Sequence, residues 1–366
     1  MKFKFPFRLL FLVLSVSVSA VPPAESAKSK PVLPSAKLKK LAPPVKVAEP
    51  ALRNWGLDNT EGPSHIEAKK AWKITEGSPK VIVAVIDTGI DFNHPDLKNN
   101  LWHKPGSDEF GYDFVFNKKN PIDVNGHGSH IAGIIGASAD PGHGVVGVSP
   151  HVSIMPLRYF ADDNTNTDTV ANTVKAVDYA IENGAKIINY SSEGKGFNVA
   201  EYRALERAGK HGILVVVAAG NSGENNDTAD SPTYPASYDL PNLIAVAATN
   251  IHNELLPISN YGATRVHVAA PGESIFSTMP HSRYGYNTGT SQATAFVSGV
   301  AALMLSENPN LTPPELKKLI MSSVDKANNL KGKVASGGRL NAYKAVVMAQ
   351  ETLKNAPTRA VATANQ

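Results

Sequence analysis

Apolar residues along this chain fall into two alternating kinds of segment. Val81–Gly89, Ser153–Phe160, Lys186–Ser191, Ile213–Asn221, Leu243–Thr249 and Val266–Gly272 are short, nearly unbroken apolar runs, five of which close on a polar or glycine residue. Runs of that kind read as strands buried on both faces. Between and after them, His127–Ala137, Thr169–Asn183, Val199–Lys210, Ser291–Ser306 and Pro314–Val324 read as helices. Continuous strands separated by helices predict an α/β fold, a three-layer sandwich whose central, mostly parallel sheet carries helices on both faces. No internal repeat interrupts this order, so residues 51–347 are expected to form one domain, with a flexible tail over 348–366.

The N-terminus has a different character. Lys2, Lys4 and Arg8 precede a twelve-residue apolar run, Leu9–Ala20, which ends on the small residues Val18-Ser19-Ala20. This pattern predicts a secretory signal peptide over residues 1–20, since the run is too short to span a bilayer stably. No stable membrane insertion is expected once it is removed, and the protein is expected to be secreted or periplasmic. Residues 21–50 are rich in Pro, Lys and Ala without hydrophobic periodicity, and read as a linker or a short pro-segment.

Composition narrows the chemistry. There is no cysteine, which removes thiol catalysis and leaves an exported chain without disulfides, so core size or a bound metal must stabilise it. The formal charge is +4, but the three basic residues at the start and the excess of six lysines over two glutamates in 21–50 exceed it. Residues 51–366 are therefore left at about −3, and the folded part has no nucleic-acid footprint.

Ligands of an open parallel sheet bind beyond the carboxyl ends of its strands. Three polar residues stand at such ends: Asp87, Ser191 and Asn221. Alone, Asp87 would read as a turn cap. His127, however, opens a helical stretch between two glycines, and Ser291 opens another after Gly289-Thr290. A serine hydroxyl needs a base to take its proton and a carboxylate to hold that base; a helix N-terminus and an amide can stabilise the resulting oxyanion. His130 shares a helix face with His127 and could form a metal pair with it, but no glutamate or third ligand accompanies them, and a packed, hydrogen-bonded histidine is the expected reading.

At this point the chain resembles the subtilisin-like serine proteases. The carriers are "VIVAVIDTGIDFNHPDL", "NGHGSHIAG", "VVVAAGNSG" and "NTGTSQATAFVSGVAAL", in that order. The resemblance implies an endopeptidase with Asp87 as orienting acid, His127 as general base, Ser291 as nucleophile, and Asn221 with the Ser291 N–H as oxyanion donors. It implies a peptide or protein substrate bound as an added strand along Tyr190–Gly194 and the loop over 162–168. It also implies a pocket walled by Ser191, Ser192, Glu193, Gly194, Ala218, Ala219, Gly220, Ser222 and Thr233, with a cis Tyr234-Pro235 bond shaping it. Ser222 and Thr233 suggest an uncharged pocket preferring apolar or aromatic residues. Glu193 replaces a glycine there; it either favours basic residues or points to water, and the second is expected. Structural Ca²⁺ is implied at Asp96 with Asp140, and a weaker candidate is the acidic loop Gly223–Asp230. A monomer is expected.

Two departures stand out. Gln292, Ala295 and Phe296 take the places of the family's Met, Pro and His. Loss of that proline restores an N–H to the helix carrying the nucleophile, which suggests a roomier site leaning towards aminolysis, while loss of the thioether suggests peroxide resistance. Residues 21–50 are also too short for the family's inhibitory pro-segment. A transpeptidase-leaning variant and a silent peptide-binding relative are therefore the alternatives to a protease.

Overall fold

The structure, a computed structural model, describes residues 54–58, 62, 64–138, 144–161 and 168–354. The signal-peptide and linker segments lie outside the described residues. The helices are α1 (Ala68–Ala71), α2 (His127–Gly136), α3 (Thr169–Glu182), α4 (Val199–Lys210), α5 (Thr290–Glu307), α6 (Pro313–Ser322) and α7 (Ala342–Lys354). The long strands are β1 (Gly77–Asp87), β4 (His151–Arg158), β5 (Ile187–Tyr190), β7 (Leu214–Ala218), β9 (Leu243–Thr249) and β10 (Val268–Pro271). Short strands are β2 (Tyr112–Asp113), β3 (Lys118–Lys119), β6 (Gly194–Lys195), β8 (Thr233–Tyr234), β13 (Asp325–Lys326) and β14 (Gly338–Arg339); β11 (Ile275–Met279) and β12 (Arg283–Asn287) form a hairpin.

Ten strands make one sheet in the order β13-β14-β10-β9-β7-β5-β1-β4-β2-β3. From β10 to β2 every pairing is parallel, and antiparallel pairs occur only at the two edges, β13/β14 and β2/β3. Successive side chains of a strand point to opposite faces, and here each face has its own core. Val83, Val85, Ile187, Val216, Ile244 and Val246 pack with α2, α5, α6 and α7, whereas Ala84, Ile86, Ile188, Tyr190, Val215 and Val217 pack with α3 and α4. This is the expected three-layer sandwich, and it explains why the central stretches of these strands are mostly apolar.

Helix α5 is buried from Thr290 to Leu305. A helix enclosed on all sides must be apolar on all sides, so its sequence shows no amphipathic stripe. Ala295 and Phe296 are fully buried in it. The domain boundary expected at 347 falls inside α7, which runs to Lys354 and buries Ala342, Ala345, Val346 and Ala349. The hairpin β11–β12 is not expected from the apolar pattern, because Arg283–Asn287 is only partly buried and carries no apolar run.

Candidate active site

Register places the site. Ile86 of β1 pairs with Tyr190 of β5, and Tyr190 pairs with Val217 of β7. The next residues, Asp87, Ser191 and Ala218, therefore leave three adjacent strands at one level, at the carboxyl end of the sheet. Asn221 follows three residues later.

Asp87 is 3% exposed. Its carboxylate oxygens lie 2.8 and 2.9 Å from His127 Nδ1 and accept the Thr88 N–H at 2.7 Å. A carboxylate on Nδ1 fixes the proton there and leaves Nε2 as the basic atom of the neutral ring. The turn that carries His127 is built around Asp123, which sequence reasoning passes over. Asp123 accepts Thr88 Oγ1–H (3.0 Å) and the N–H groups of Asn125 (3.0 Å) and Gly126 (2.8 Å) on one oxygen. Its other oxygen accepts Ser129 N–H (2.9 Å) and Oγ–H (2.7 Å). Thr88 Oγ1 in turn accepts the Gly128 N–H at 2.9 Å. The signal that could have found Asp123 is its own spacing: an aspartate three residues before a glycine that opens a helix is an Asx-type cap.

Ser291 is the second residue of α5 and is 8% exposed. Its N–H is one of the first four of the helix, which have no acceptor inside it. Gly289 makes the turn with φ 156°, and a Cβ there would lie 3.2 Å from Asn221 Oδ1. That same Oδ1 accepts Thr290 N–H (2.9 Å) and Oγ1–H (3.1 Å). The amide of Asn221 is thus oriented by its oxygen, and its Nδ2 donors face away from Thr290. Ser191 Oγ donates to the Ser291 carbonyl at 3.4 Å and accepts from Asn189 Nδ2 at 3.0 Å, which ties the end of β5 to the nucleophile's helix. In this way Asp87, His127, Ser291, Asn221 and Ser191 gather from β1, α2, α5, β7 and β5 at one end of the sheet.

The expected pocket residues surround the same point. Ala218, Ala219 and Thr233 are buried, Ser192, Gly194 and Glu193 are half-buried, and Ser222 is exposed. Gly194 pairs with Tyr234, and the Tyr234-Pro235 bond is cis, as expected. Asn260, unmarked in the sequence, pins this wall: its Oδ1 accepts the N–H groups of Ser222 and Glu224 at 3.0 and 2.9 Å, and its Nδ2 donates to Thr233 Oγ1 at 3.0 Å. One expectation is corrected. Glu193 does not point to water: its Oε2 accepts the Asn221 N–H at 2.5 Å, and burial pushes its carboxyl above the ordinary range. The reason is the turn at Gly220-Asn221, which offers a backbone donor that β7 does not use. The loop residues 162–167 lie outside the described residues.

His130 is fully buried, with Nε2 3.0 Å from Ile275 O and 3.3 Å from Gly285 O. Burial lowers its pKa to about 3, so it is a neutral donor that fastens α2 to the β11–β12 hairpin. Asp96 is buried, and its Oδ2 accepts Val145 N–H and Tyr284 O–H, each at 2.9 Å. Asp140 lies outside the described residues. Among the described residues no three carboxylate or histidine groups converge on a metal position, so Asp96 by itself does not make a calcium site. Asp227, in the acidic loop, accepts the N–H groups of Thr264 (3.0 Å) and Arg265 (2.9 Å), one on each oxygen.

Comparison with known proteins shows the family. The family model described as "Subtilase family" matches residues 78–343. Thermitase from Thermoactinomyces vulgaris is 40% identical over 285 residues, 78% of this chain and 95% of that protein. The thermophilic serine proteinase of Bacillus sp. (strain AK1) is 38% identical over 286 residues, 78% of this chain and 66% of the relative. The major intracellular serine protease of Bacillus subtilis (strain 168) is 37% identical over 247 residues, 67% of this chain and 75% of that protein.

Proposed function

The chain belongs to the subtilase family of serine proteases, and from that premise we propose that it is an exported endopeptidase working through Asp87, His127 and Ser291. The observation that carries this reading is the His127 ring, held by both oxygens of Asp87, at the same end of the sheet as a serine that opens a buried helix. In the proposed reaction, Nε2 of His127 takes the Ser291 hydroxyl proton as Oγ attacks the peptide carbonyl. Asp87 stabilises the imidazolium that forms. The Ser291 N–H and Asn221 Nδ2 stabilise the developing oxyanion, an interaction worth several kcal/mol, roughly 3, per donor. His127 then passes its proton to the leaving amine, and water repeats the cycle on the acyl-enzyme.

Hydrolysis of a chromogenic peptide tests this. Wild type is expected to turn over, and Ser291→Ala to fall by more than about a thousandfold, the residual rate coming from binding and oxyanion stabilisation. Undiminished turnover in Ser291→Ala would sink the reading. Export is proposed from the N-terminal pattern alone, and the N-terminal sequence of protein recovered outside the cytoplasm checks it; among the described residues no helix is long and apolar enough to cross a membrane. A stabilising calcium at Asp96 is proposed only with ligands beyond the described residues. Its check is the melting temperature with and without a chelator, and no step of the reaction runs through it.

A further inference from the structure

We propose that Glu193 sets the specificity of the cleft by selecting a lysine or arginine immediately before the cleaved bond. The proposal rests on the endopeptidase reading above and replaces the apolar preference, which was drawn from Ser222 and Thr233 with Glu193 expected to point to water.

Its first support is place. Glu193 stands two residues beyond Ser191, whose hydroxyl is bonded to the Ser291 carbonyl. Its carboxylate is fixed to the N–H of Asn221, whose side chain holds Thr290, the neighbour of Ser291. A substrate that puts its carbonyl between Ser291 and the Asn221 amide must bring an adjoining side chain against this carboxylate. The residues leading to Asn221, namely Ala218, Ala219 and Gly220, are small and buried. At Gly220 φ is +114°, and a Cβ would fall 2.4 Å from Asn260 Nδ2 and 2.9 Å from Glu193 Oε2, so any larger residue would displace the carboxylate.

The second support is charge. Lys195 is the cation nearest by sequence, but its ammonium is paired with Glu224 and reaches Thr233 Oγ1. Among the described residues no cation stands within ion-pair distance of Glu193. The three charged groups of this rim, Glu193, Lys195 and Glu224, sum to −1. A carboxylate offers about four acceptor positions, and the Asn221 N–H occupies one of them here. Burial raises the pKa of Glu193, the Asn221 N–H and Lys195 oppose that, and Glu224 adds to it. A half-buried anion with one neutral donor is under-compensated, and a guanidinium or ammonium supplies what is missing. An apolar side chain in the same place would remove its remaining water and return nothing.

The test uses peptide amides identical except for the residue before the bond: Lys, Arg, citrulline, Leu and Phe. Wild type is expected to favour Lys and Arg by at least about tenfold in kcat/KM over the three neutral residues. In Glu193→Gln, which keeps an acceptor for the Asn221 N–H, the ratio of Lys to Leu is expected to fall at least about tenfold. Preference for Leu or Phe in wild type, or an unchanged ratio in Glu193→Gln, overturns the proposal. Affinity of the Lys and Leu peptides for Ser291→Ala, with and without Glu193→Gln, reads the same selection without turnover. Tighter Lys binding that depends on Glu193 supports the proposal even if wild type cleaves nothing, an outcome that would count against the protease reading alone; equal binding of the two peptides overturns it.

Discussion

Asp123 exchanges no proton in the proposed reaction, yet five donors from four residues converge on it, and His127 sits inside the turn they define. Asp123→Ala leaves those donors without an acceptor and lets the ring drift from Asp87. Misplacement by about an ångström costs roughly a hundredfold in rate, so kcat is expected to fall on that order while KM changes less; an unaltered kcat would mean that the turn holds without it. Residues of this kind mark the limit of reading a sequence. Asp87 and Asn221 drew notice as polar groups at the ends of apolar strands, but their proposed roles, and those of His127 and Ser291, came from the family motifs, since Asp87 alone reads as a turn cap. The direction of Glu193 was not legible, because it depends on a backbone donor at Asn221, 28 residues away. Asn260 was equally silent: asparagine is common in turns, and nothing local shows that it braces Ser222, Glu224 and Thr233 together.

Helix α5 delivers the nucleophile, and its first turns decide how. In an α-helix the N–H of Ala295 pairs with the carbonyl of Ser291, the oxygen that also accepts from Ser191 Oγ. Proline at 295 would remove that pairing and press its ring against the same carbonyl. Because Ala295 is fully buried and Phe296 beside it is packed in the core, the surroundings fit alanine. Ala295→Pro is therefore expected to cost about 3 kcal/mol of stability and to lower kcat, read from urea unfolding and single-turnover hydrolysis. A faster and equally stable variant would instead show that alanine detunes the site. Elements were well marked where the pattern was clean: fully buried β9 was expected at its observed bounds, and so was α4, which buries one face. The β11–β12 hairpin escaped notice because β12 is only partly buried and has no apolar run. The C-terminal helix α7 was not read as a helix: only one of its faces is buried, and the domain was expected to end at 347.

Over the whole molecule, a sheet with a core on each face supports the site from below, and buried His130 fastens α2 to the β11–β12 hairpin beside it. His130 stays neutral in the fold down to about pH 3, whereas an unfolded chain protonates it near 6.5. The unfolded state therefore binds more protons through this window, and stability must fall as pH drops from about 6.5 towards 3. His130→Gln is expected to flatten the slope of unfolding free energy against pH by up to one proton, about 1.4 kcal/mol per pH unit. Urea midpoints from pH 7 to pH 4 measure this, and an identical slope in both proteins would assign the acid sensitivity elsewhere.

The central claim is that Ser291 is an activated nucleophile, and covalent labelling addresses it most directly. The folded protein would be treated with a fluorophosphonate and its intact mass recorded, followed by peptide mapping. One adduct on Ser291, none in Ser291→Ala and labelling slowed at least about a hundredfold in His127→Ala is the predicted result; a folded wild type that takes no adduct, or labels as readily without Ser291, would contradict the account.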